Sequence, residues 1–136
     1  MIWKLFDKKR KADVSFLKVD MHNHLLPGID DGLKNVDDTL RFIDELRNLG
    51  YQKLICTPHI LSGVHDNSPD TILPALEKVR DALAEKNIEF PIEAAAEYMV
   101  DNNFEELLMK KAPLLTLGNN HILIEMSYVA PSPNLK

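Results

Sequence analysis

Val19–Gly32 reads VDMHNHLLPGIDDG: a short apolar start, two histidines one residue apart, a Pro-Gly turn and two adjacent aspartates. An extended backbone repeats every two residues, so Asp20, His22 and His24 share one side and Val19, Met21 and Asn23 the other. Two such histidines stand about 6–7 Å apart along a strand, close enough to chelate one ion. Taken alone, the stretch is equally a polar strand end. Its meaning depends on whether later strands deliver matching ligands to the same place.

Working outward, four segments read as strands and three as helices, in alternation. The first strand is Phe16–His22, and the loop after it carries the turn signals Pro27-Gly28 and Asp31-Gly32. Asn35 is the N-cap of a first helix, with Asp37 and Asp38 favouring the positive end of its dipole. Val36, Leu40, Ile43, Leu46 and Leu49 recur at helical spacing before Gly50 closes it. Lys53–Thr57 is a short apolar run of the buried, parallel kind. Ile72, Leu76, Val79 and Leu83 mark a second helix ending near Asn87, in which Pro74 is tolerated only in a first turn. Phe90–Tyr98 is a third strand, a short helix surrounds Phe104–Met109, and His121–Ser127 is a fourth strand. This alternation predicts an α/β chain of βα units with parallel strands.

The chain has 136 residues, is 45% hydrophobic and 27% charged, and carries a formal charge of −5. That balance suits a folded domain, and the negative charge excludes a general nucleic-acid binder, which needs a basic face. One cysteine, Cys56, permits no disulfide framework within the chain and suits a cytoplasmic setting. No run approaches the roughly 18 apolar residues that span a bilayer. Residues 1–15 form a leader in which Trp3 and Phe6 precede Lys8, Lys9, Arg10 and Lys11, in the wrong order for a secretory signal.

If the strands lie side by side and parallel, their C-terminal ends and the following loops gather on one face. His22 and His24 end the first strand, His59 follows the second, Glu97 ends the third and Glu125 lies in the fourth. The loop after the first strand adds Asp30 and Asp31. Glu125 is placed here inside a buried apolar strand, where a carboxylate is costly unless it meets a cation. Imidazole and carboxylate without thiolate suit zinc, manganese or iron. Six or more such groups exceed one tetrahedral ion, and a carboxylate bridging two ions uses them better.

Other chemistries lack their residues. A cysteine-based phosphatase needs an arginine shortly after its cysteine, where this chain has Ser62. There is no Gly-rich phosphate loop and no G-x-S-x-G elbow. His65 reads as an exposed loop residue and His121 as lying at the far end of its strand.

DMHNHLLPGIDDG, ICTPH, AAAEY and ILIEMS resemble the successive motifs of the polymerase-and-histidinol-phosphatase (PHP) superfamily. More narrowly, LPGIDDG resembles the bacterial manganese-dependent tyrosine phosphatases of capsular and exopolysaccharide operons. The resemblance runs from about Lys18 onward and implies a TIM-like βα barrel with two to three metal ions at the strand ends. It implies that His22 and His24 hold a first ion, Glu97 and Glu125 serve the first and second with Glu97 as bridge, and Asp31 and His59 serve a third. Manganese is the expected metal, with zinc, iron or magnesium as alternatives. It further implies attack by a metal-bound hydroxide on the phosphotyrosine of a tyrosine autokinase, in the cytoplasm or beside the inner membrane through that partner.

Members of that family continue for a second half, with more metal ligands and phosphate-binding arginines. The arginines here, Arg10, Arg41, Arg47 and Arg80, lie in the leader or on helices. Residues 16–136 therefore read as the N-terminal half of the barrel, four βα units with open edges, and activity of this half alone is not implied. Two other readings stay open: a small-molecule phosphoesterase of the superfamily, and a non-catalytic half-barrel that associates with itself or a partner through those edges.

Overall fold

In the computed structural model, which describes residues 14–130 and 132, the chain alternates strands and helices, and every strand pairs in parallel. The expected α/β class holds. The leader, apart from Val14 and Ser15, lies outside the described residues. Among the described residues no helix is long and apolar enough to cross a membrane.

The first strand is shorter than its apolar pattern suggests: β1 is only Val19–Asp20. The side chain of Asn35 accepts a hydrogen bond from the Asp38 amide at 2.9 Å, and α1 follows over Val36–Asn48. It buries Thr39, Leu40 and Ile43 and leaves its acidic residues outward. α2 spans Pro69–Glu85, so Pro74 lies in its second turn rather than its first. Two features start the helix early: Pro69 at the first position, and the Thr71 hydroxyl, which accepts from the Ser68 amide at 3.0 Å. The stripe of Ile72, Ala75, Leu76, Val79 and Leu83, all buried, offsets the backbone bond that Pro74 cannot make. α3 is Asn102–Met109, capped by Asp101 on the Phe104 amide at 2.8 Å.

The third predicted strand is broken in two, and a short strand not predicted follows the second. Lys53–Thr57 is β2 (Lys53–Cys56), and β3 (His59–Ile60) lies in the segment read as loop, separated from β2 because Pro58 has no N–H for the ladder. Phe90–Tyr98 becomes β4 (Ile92–Ala94) and β5 (Glu97–Met99). The last strand, β6, is Leu123–Glu125. The orders are β1-β2-β4 in one sheet and β3-β5-β6 in the other. Bonds from the Ala95 amide to the Cys56 carbonyl (2.8 Å) and from the Glu97 amide to the Pro58 carbonyl (3.0 Å) join the sheets across the break. His59 thereby sits opposite Glu97 in register, and Met99 opposite Glu125.

Glu125 corrects an expectation. Its strand is only partly buried: β6 is an outer strand of its sheet, Ile124 is 45% exposed and the Glu125 side chain 23% exposed. Desolvation at Glu125 is therefore milder than the apolar pattern implies, and its neighbour His59 carries more of the case for a cation. The core lies on the helix-covered side, where Leu26, Ile43, Leu54, Ile72 and Val79 are fully enclosed. Tyr98 packs on Phe104, and its hydroxyl accepts from the Leu115 amide at 2.8 Å, tying the segment before β6 to β5.

Cys56 is sealed in this core, and burial pushes its thiol up to about 12. It cannot supply a thiolate near neutral pH. A thiol reagent such as dithionitrobenzoate should leave the folded chain unmodified and titrate one thiol after denaturation. Rapid modification under native conditions would contradict the packing described.

Candidate metal centre

The histidine pair lies beyond the end of β1, in irregular backbone, so strand periodicity does not orient it. Asn23 does. Its amide donates to the Thr57 hydroxyl at 3.2 Å, its carbonyl accepts from the Thr57 amide at 2.9 Å, and its side-chain amide donates to the Ile55 carbonyl at 3.3 Å. With Asn23 pinned to the end of β2, the flanking His22 and His24 turn the other way. Nε2 of His22 lies 3.2 Å from Oε2 of Glu97, and Nε2 of His24 lies 3.3 Å from the same oxygen.

The loop that follows adds its two aspartates differently. Asp30 is buried, with its Oδ2 2.8 Å from Nδ1 of His24. Asp31 is exposed, and its Oδ1 stands 3.7 Å from Nε2 of His59. Gly32 fits because it lacks a side chain: a Cβ there would lie 2.7 Å from the Cβ of His24 and overlap its backbone. His59, which opens β3, turns Nδ1 toward Glu97 at 3.5 Å and Glu125 at 3.3 Å.

All six candidate ligands named from the sequence thus converge. They form three groups of three, His22-His24-Glu97, His24-Asp31-His59 and His59-Glu97-Glu125. Within each group, one ligand atom per residue lies within 4.8 Å of the others. Glu97, His24 and His59 are each common to two groups, whereas the sequence had placed His59 with Asp31 alone. Among the described residues the ion pairs of Glu97 are all with histidines, His22, His24 and His59. A buried carboxylate facing imidazole lone pairs needs protons or a cation between them. Nitrogen and oxygen donors at this spacing, with no thiolate, fit a divalent ion of the zinc, manganese or iron kind.

Protonation follows from the same contacts. The hydrogen bond to Asp30 raises His24 above its ordinary range, against the opposing effect of burial. Burial alone would raise the Asp30 carboxyl, but bonds from His24 and from the Gly32 and His59 amides hold it below its ordinary value.

His65 is half-buried rather than exposed. Its ring stacks on His59 with centroids 5.6 Å apart and an interplanar angle of 12°. Together with Leu61 and Met99 it lines a cavity of about 290 Å³ that opens beside Asp31, His59 and Glu125. His121 is exposed and precedes β6, away from this face.

Fold and site define a class: α/β chains with parallel strands that gather imidazole and carboxylate groups at the strand ends. Within it, the chain belongs to the CpsB/CapC family of capsular polysaccharide synthesis, whose pattern matches residues 18–136. It is 27% identical over 110 residues to the tyrosine-protein phosphatase YwqE of Bacillus subtilis, covering 81% of this chain and 43% of YwqE. It is 31% identical over 112 residues to the tyrosine-protein phosphatase CpsB of Streptococcus agalactiae, covering 80% of this chain and 45% of CpsB. A chain from the crystal structures of YwqE of B. subtilis and CpsB of Streptococcus pneumoniae, described as metal-dependent tyrosine phosphatases, matches with TM-score 0.70 and 29% identity. That match covers 81% of this chain and 44% of the other. The chain spans somewhat under half the length of the relatives it matches.

Proposed function

We propose that these residues form the metal-binding part of a phosphotyrosine-specific protein phosphatase. The observation that carries the reading is the sharing of buried Glu97 between two ligand groups, the arrangement that brings two ions to one phosphoryl group. His22 and His24 would hold one ion with Glu97, and His59 and Glu125 another with the same carboxylate. Asp31 and His59 would contribute to a third. Bound metal supplies an activated water and neutralises charge on the phosphoryl oxygens. Asp31, His59 and Glu125 form one wall of the cavity, and Leu61 and Met99 offer its apolar side to an aryl ring. On the same reading the two sheets are the opening arc of a TIM-like barrel and manganese is the working ion. The substrate is a tyrosine autokinase of polysaccharide export, met in the cytoplasm.

The test uses the longer protein that contains these residues. Loaded with Mn²⁺ it should hydrolyse a phosphotyrosine peptide in preference to histidinol phosphate. Chelation should lower that rate on the order of 10²-fold or more, reversibly on adding metal back. Preference for histidinol phosphate would favour the small-molecule reading, and inertness toward every aryl phosphate would remove the enzyme reading.

A further inference from the structure

The two adjacent aspartates of the IDDG loop do different work. Asp31 points outward and faces His59, whereas the Asp30 side chain is fully enclosed. Both Asp30 oxygens are occupied by protein N–H groups: Oδ2 accepts from Nδ1 of His24 at 2.8 Å and from the His59 amide at 3.2 Å, and Oδ1 accepts from the Gly32 amide at 3.0 Å. An ionised carboxylate accepts and cannot donate, so the His24 nitrogen facing it must carry the hydrogen.

Resting on the reading of His24 and His59 as metal ligands, we propose that Asp30 is a positioning residue of the metal centre. It holds His24 as the Nδ1–H tautomer, which leaves the Nε2 lone pair as the ligand, directed at the site shared with His22 and Glu97. The same oxygen accepts from the backbone amide of His59 at the start of β3, so one buried carboxylate sets the spacing between two ligands far apart in sequence. Asn67 reinforces that join, donating to the Ile29 carbonyl at 2.8 Å and the His59 carbonyl at 2.9 Å. Partners behind a metal-bound histidine fix its tautomer and its ring, and losing one costs about 10- to 100-fold in metal affinity.

Asp30→Asn keeps the size of the side chain and removes its charge. The control is Lys34→Ala, since Nζ of Lys34 donates to the Asp30 carbonyl at 2.6 Å and braces the same loop without touching the carboxylate. Two readouts on the 136-residue chain decide the matter: ring ¹⁵N shifts of His24 without metal, at a pH where the ring is neutral, and calorimetric titration with Mn²⁺. Wild type and Lys34→Ala should show Nδ1–H at His24. Asp30→Asn should shift the ring toward Nε2–H and weaken Mn²⁺ binding about 10- to 100-fold. Unchanged tautomer and unchanged affinity in Asp30→Asn would overturn the proposal. If wild type binds no Mn²⁺ yet the tautomer responds, the metal reading fails and the hold on His24 stands. If Asp30→Asn does not fold, the wild-type spectrum decides, and an Nε2–H ring at His24 contradicts the proposal.

Discussion

Replacing Glu97 by glutamine is expected to disable two ligand groups with one change and to abolish tight Mn²⁺ binding. Three imidazoles surround Oε2 of this residue, at 3.2 Å from His22, 3.3 Å from His24 and 3.5 Å from His59. Removing one partner of a buried charged pair costs about 3–5 kcal/mol, which corresponds to a loss of roughly 100-fold or more in affinity. Without metal the sign reverses. A buried carboxylate is costly to desolvate, so the metal-free Glu97→Gln chain should be at least as stable as wild type. Thermal unfolding separates the two effects: Mn²⁺ should raise the wild-type midpoint by mass action and leave that of Glu97→Gln in place. Equal metal-induced shifts in both chains would show that Glu97 binds nothing.

Gly32→Ala should damage both the loop and the site. The added Cβ would lie 2.7 Å from the Cβ of His24, well inside contact distance, and the nearest atoms are backbone that cannot swing aside. Forcing a methyl group into such a contact typically costs about 1–3 kcal/mol. His24 must move to relieve it, which breaks the contacts to Asp30 and Glu97 together. Gly63→Ala is the useful comparison, because nothing lies within 4 Å of a Cβ there and its cost arises from the positive φ of 77° alone. Denaturant unfolding should show both variants destabilised, whereas Mn²⁺ titration should show weakened binding only in Gly32→Ala. Full metal affinity in Gly32→Ala would mean that the close approach of this loop does not hold His24.

That His22, His24, Asp31, His59, Glu97 and Glu125 would come together was legible in the sequence, because each lies in or just after a predicted parallel strand, and parallel strands bring the segments that follow them to one face. The helix boundary at Asn35 was legible for a local reason, a side chain that caps the amide three residues on. Features that depend on tertiary contact were not. The break that divides β4 from β5 arises where pairing partners change, from β2 to β3 and β6, which apolar periodicity does not record. Glu125 looked fully buried because its neighbours are apolar, yet it is only partly covered, and Ile124 and Met126 beside it are exposed. Asp30 and Asp31 are chemically identical and adjacent, and only the fold encloses one and exposes the other. The role of Asn23 was hidden between two more conspicuous histidines, although period two already placed it on the opposite side. Nothing local marked the stacking of His65 on His59.

Anomalous diffraction at the manganese edge from crystals grown with Mn²⁺ tests the central claim most directly. One peak is predicted among His22, His24 and Glu97, and a second among His59, Glu97 and Glu125, with Glu97 touching both. Manganese bound only at exposed acidic residues, with Glu97 left to its histidines, would contradict the account.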